Sequence, residues 1–136
     1  MDGKKYGPIL LRYGLSAVFL WFGLNQILFP SEWLAWLPSW VHSLPISATM
    51  FVITNGIIEV LLGILLIAGL FTRLVALALG LHLLGIAFTV GYNDIGVRDF
   101  GLSLAVFSVA LRGPDAWCLD QKIKTEKPFW HFVLGL

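Results

Sequence analysis

The chain has 136 residues, of which 58% are hydrophobic and only 12% charged, with a formal net charge of +1 and a mean hydropathy of +0.86. An ordinary globular domain carries about a quarter charged residues, and a soluble chain of this size could not hide so much apolar surface in one core. The near-neutral charge gives no reason to expect nucleic-acid binding, and a single cysteine, Cys118, excludes an internal disulfide, a CxxC redox pair and a cysteine-ligated metal. The composition therefore predicts an integral membrane protein of all-α class.

A membrane-crossing helix needs roughly 20 apolar residues at about 1.5 Å rise each. The first apolar run, about 8–29, follows Lys4 and Lys5 and resembles a secretory signal. It is too long for a signal core, Arg12 interrupts it and no small-x-small cleavage site follows, so it reads as a retained span. Pro8 suits a first helical turn and Pro30 ends the run. The segment "SEWLAWLPSWVHSLPIS" places Trp33, Trp36 and Trp40 where a headgroup layer would hold them, which predicts a short interfacial stretch. Further spans are expected at about 49–70, 73–92 and 95–111, the last crossing only if it carries Arg98 and Asp99 with it. Residues 112–136 form an expected cytoplasmic tail whose lysines, Phe129, Trp130 and Phe132 suit either the inner membrane surface or a partner. The whole chain, 1–136, reads as one four-span bundle without an internal repeat.

Lys4 and Lys5 precede the first span, Arg73 sits in the second turn, and Arg112, Lys122, Lys124 and Lys127 follow the fourth. The first loop has no lysine or arginine. This asymmetry predicts a cell-membrane protein with both termini cytoplasmic. Gly14, Gly23, Gly56, Gly63, Gly80, Gly85, Gly101, Ser103 and Ser108 are small enough to let helices approach closely, and bundle packing accounts for most of them.

Glu59 stands out because it sits in "NGIIEVLLGILLIAGLFTR", among residues suited to hydrocarbon. A carboxylate there costs at least a few kcal/mol unless it is paired or hydrated. Counting from the turn around Phe71, Glu59 and His82 fall at nearly the same depth on adjacent antiparallel helices, so His82 is the expected partner. Asn55 lies one turn from Glu59 on the same face. Asn25, Asn55, Arg98 and Asp99 share an outer depth, which predicts a polar pocket open to the outside and ending at Glu59 and His82. Asp94 is the expected cap of the fourth helix. Arg98 needs an anionic partner or must snorkel to headgroups, and because adjacent helical residues point apart, neighbouring Asp99 cannot be assumed to be that partner. The pocket is either a ligand or proton site or a cluster that fixes helix register. Arg12 is expected to snorkel to the inner face, Cys118 to be an ordinary thiol, and His42 and His131 to be surface residues. The sequence offers no bis-histidine haem site, nucleophilic triad, phosphate loop or metal-ligand cluster.

The stretches "LLRYGLSAVFLWFGLNQILFP", "GIIEVLLGILLIAGLFTRLVALAL" and "RDFGLSLAVFSVALRGPDAWCLD", in this order over residues 9 to 120, resemble the DoxX/DoxD family of small four-helix membrane proteins. The pattern departs at Gln26, where many members carry a lysine three residues after the glycine closing the first span. The resemblance implies a link to membrane oxidoreductase systems, through similarity to a thiosulfate:quinone oxidoreductase subunit or to members acting with thiol-redox and superoxide-detoxifying partners. Two functional expectations follow. One is a redox-associated subunit that binds a quinone-like or lipid headgroup near Glu59 and His82, takes electrons from a partner protein and carries no covalently bound cofactor or metal. The other is a non-enzymatic transporter or membrane scaffold. Either would work within the bilayer as a homo-oligomer or heteromeric complex.

Overall fold

Helix starts in this chain are set by side chains that accept the orphan amides of a first turn. In the computed structural model, which describes residues 2–124, Asp2 accepts from the Lys4 amide at 3.1 Å and opens α1 (Gly3–Leu28). Ser47 accepts from the Met50 amide and opens α2 (Ala48–Ala68). Two 3₁₀ turns, Pro30–Trp36 and Ser39–Ser43, connect α1 to α2. Asn93, not the expected Asp94, accepts from the amides of Ile95 and Gly96 and opens α4 (Asp94–Arg112). Its side chain stands one residue outside the first turn, where a carbonyl oxygen can face the free N–H groups. Left-handed Gly69 (φ 69°) ends α2. A short α5 (Leu119–Lys124) closes the described chain, which contains no strand. The expected surface role of residues 125–136 lies outside the described residues.

Three helices are long and apolar enough to cross a membrane: α1, α2 and α3 (Thr72–Val90). The expected fourth span corresponds to α4, which has the same 19 residues as α3 but carries Asp94, Arg98, Asp99 and Arg112. The helices associate as two close pairs, α1 with α2 and α3 with α4, with slighter contact between the pairs.

Glycine sets the closeness of the first pair. A Cβ on Gly56 would fall 2.6 Å from the carbonyl oxygen of Gly23, and one on Gly23 would fall 2.8 Å from that of Gly56. The two backbones touch there, which no larger residue permits. In the second pair Gly80 faces the ring of Phe107. Gly14, Gly85 and Gly101 have open space around them, so the packing role expected of most small residues does not extend to these three. Between the pairs, Phe19, Leu66, Leu79, Leu83, Val106 and Val109 form a dry core nearer the α2–α3 turn.

At that same end the chain after α4 folds back as a strap. Arg12 does not snorkel; it is fully buried and donates to the Asp115 carboxylate at 2.6 and 3.2 Å and to the Leu66 and Ile67 carbonyls. These carbonyls belong to the last turn of α2, where a cation is favoured. Asp120 accepts from the amides of Phe71 and Thr72 and from the Thr72 hydroxyl, capping α3 from 48 residues away. Cys118 belongs to the same strap. It is buried against Gly69, and burial pushes its pKa up.

Burial alone would raise the Asp115 pKa, but hydrogen bonds from Arg12 and the Trp117 amide outweigh it and hold the carboxyl below its ordinary 3.8. A depressed carboxyl contributes stability that is complete above its unfolded pKa and is lost as pH falls through the folded value. The detergent-solubilised protein should therefore lose thermal stability below about pH 4. Asp115→Asn should be less stable by about 3 kcal/mol at neutral pH, because Arg12 stays buried without its anion. The gap between the two proteins should narrow as the pH is lowered; a gap independent of pH would contradict this account.

Candidate functional site

The contact of Gly23 with Gly56 has a direct consequence for the side chains next to it. The helices run antiparallel, so Gln26 of α1 stands beside Gly56 itself, and its long side chain reaches along α2 to Glu59, one turn away; both are buried. The Gln26 amide nitrogen donates to Glu59 Oε2 at 3.3 Å. Asn55, one turn along α2, donates to Glu59 Oε1 at 3.0 Å and to Gln26 Oε1 at 2.7 Å. From α3, His82 Nε2 lies 3.1 Å from Glu59 Oε1. Three helices thus converge on one carboxylate that is 3% exposed.

Against an ionised carboxylate, which only accepts, the shared hydrogen belongs on His82 Nε2. The other ring nitrogen, Nδ1, has no protein partner among the described residues, and the half-buried ring lines a cavity of about 660 Å³. Neutral His82 presents an acceptor there, and the imidazolium presents a donor.

The cavity lies between the two helix pairs, under a roof of Trp33, Trp36 and Trp40 from the 3₁₀ turns. Phe22 and Trp33 meet edge to face at 5.7 Å, as do Trp40 and Phe51. The floor is Glu59 with Phe19 and Leu83, the upper members of the dry core. On α4, Arg98 and Asp99 also line it. Arg98 Nε and Nη2 both reach Asp99 Oδ1 at 2.8 Å, so the anionic partner that Arg98 needs is its own neighbour. Their Cβ atoms do point apart, but the arginine chain is long enough to curl back. Its guanidinium also stands 4.8 Å from the Phe22 ring centre, an attraction of cation to aromatic face.

Of the six residues expected at this site, Glu59, His82, Asn55, Arg98 and Asp99 line the cavity. Asn25 does not. Its side chain donates to the Trp21 carbonyl on its own helix, and Gln26 occupies the place foreseen for it. One residue along a helix is a turn of about 100°, which depth alone does not resolve. Gln26 follows Gly23 by three residues and so lies on the same face of α1, which was the available signal.

Glu59→Gln and His82→Gln should be strongly coupled. The double-mutant cycle, read from unfolding in detergent, should give an interaction of about 1–3 kcal/mol, as expected for residues sharing one hydrogen-bond network. Additive effects would mean that the two side chains do not meet.

The DoxX family model matches residues 7–92, which include Gln26, Asn55, Glu59 and His82 and stop before α4. Neither curated proteins nor solved structures give a match. With most of its length under that family model and three helices apolar enough to cross a bilayer, the chain belongs to the DoxX family and is a membrane protein.

Proposed function

We propose that this chain is a membrane subunit of a redox system, and that it binds the head of a quinone-like molecule in the cavity above Glu59 and His82. The observation that carries the reading is His82 on the cavity wall, its Nε2 held against the buried Glu59 carboxylate. Reducing a quinone to a quinol takes two electrons and two protons. His82 suits transfer of a proton to or from a ring oxygen at Nδ1, with Glu59 stabilising the imidazolium. The electrons come from a partner redox protein, since no redox-active side-chain arrangement serves this cavity.

In this reading α4 is the fourth span. Asp99 is buried, and Arg98 is neutralised by it and turned toward the cavity, which lowers the penalty of carrying both through hydrocarbon. The successive helices are antiparallel, and Lys4, Lys5, Arg73, Arg112 and Lys122 gather at one end, which supports cytoplasmic termini in the cell membrane. The cavity then opens toward the outer leaflet. A second reading, a scaffold or transporter whose polar cluster fixes helix register, draws on one observation: every buried side-chain N and O among the described residues already has a protein partner.

Thermal stabilisation of the solubilised protein by short-chain quinone analogues separates the two. A ligand at about a hundred times its Kd should add about 2.7 kcal/mol. Asn55→Leu should abolish this while keeping the fold at a cost of about 1–2 kcal/mol, because it leaves Gln26 Oε1 without its donor. Absence of stabilisation in the wild type across several quinone types would favour the scaffold.

A further inference from the structure

The cavity has a missing wall. Below, the dry core closes it. Between α1 and α4 it is bridged by the Arg98 guanidinium on the Phe22 ring. Toward the gap between α2 and α3 it continues onto Leu81, Gly85 and Thr89, which line the cavity yet are exposed on the outside of the molecule. These residues recur every fourth position and form one stripe of α3. Gly80, five residues before Gly85, packs against Phe107 of α4, so at about 100° per residue the Gly85 stripe is turned well away from α4. Contact between α2 and α3 is slight beside that within each helix pair. A Cβ built on Gly85 meets nothing within 4 Å.

What lies outside this opening follows from the helix that carries it. Helix α3 is apolar enough to cross a membrane, and Leu81, Leu77 and Phe88 on its exposed side suit hydrocarbon. Gly85 is three residues from His82, about 4.5 Å along the axis. A head group hydrogen-bonded at His82 and Glu59 would have its attached chain beside Gly85.

We propose that the opening between α2 and α3 at Gly85 is a lateral portal, and that the ligand is a membrane-dissolved amphiphile with a hydrogen-bonding head and a long apolar chain. The head enters sideways from the bilayer and the chain stays in the portal, among lipid tails. Water-soluble solutes are then not what the cavity selects. This inference rests on the reading of the cavity as a quinone-like site, and narrows its substrate class to chain-bearing molecules.

The test compares two probes in lipid nanodiscs: a benzoquinone bearing a decyl chain and the same ring without the chain. Affinities are read from thermal stabilisation for wild type, Gly85→Ala, Gly85→Leu and Gly85→Trp. Open space around Gly85 lets each variant fold, and unchanged circular dichroism verifies it. The wild type should prefer the decyl probe, and Gly85→Trp should weaken that probe by at least about tenfold while leaving the chainless ring unchanged. Gly85→Leu should fall between, and Gly85→Ala should match wild type. If Gly85→Trp leaves the decyl probe unaffected, or weakens both probes equally, the portal is refuted while the site remains. If neither probe binds the wild type, the quinone reading fails and the portal with it.

Discussion

A carboxylate surrounded by apolar helices has to be hydrogen-bonded or neutralised, and in this protein that requirement falls on Glu59. Its partners come from three helices: Gln26 from α1, Asn55 from its own α2 and His82 from α3. Gln26 reaches it only because Gly23 and Gly56 let two backbones touch one turn away. His82 reaches it only because the α2–α3 turn sets both side chains at one depth. The helix arrangement and the polar site are therefore one construction. A methyl group at Gly56 would act on the site as well as on the packing.

The polar chemistry sits in two places with a dry core between them. At one end Arg12, Asp115, Thr72 and Asp120 tie the strap after α4 to the ends of α2 and α3. At the other, Glu59 and His82 face a cavity under a tryptophan roof. The core of Phe19, Leu66, Leu79 and Val106 separates them, and it contains no polar relay. Ser16 and Ser103, buried nearby, return their hydroxyl hydrogens to carbonyls of their own helices.

Much of this was legible in the sequence, for identifiable reasons. Hydrophobic run lengths fix helices to within a few residues, and depth counting fixes height, so Glu59 and His82 could be paired before any coordinates. Rotation about a helix axis was not available from depth, which is why Gln26 was passed over for Asn25. The Arg12–Asp115 pair was invisible for another reason: its members are 103 residues apart, and only the fold-back after Gly113 brings them together. The partner of Arg98 was open in the sequence, because Cβ directions on a helix do not limit where so long a side chain curls.

The central claim is that His82 holds Glu59 at the base of the cavity with its second nitrogen turned to a ligand. Solid-state NMR on lipid-reconstituted protein, with ¹⁵N in the His82 ring and ¹³C in the Glu59 carboxyl, measures this directly. The account predicts a ring nitrogen within about 4 Å of the carboxyl carbon, set by the hydrogen bond, and a shift of the other nitrogen when a quinone analogue is added. Ring nitrogens that are both farther than about 6 Å from that carbon would contradict it, since no hydrogen bond spans such a gap.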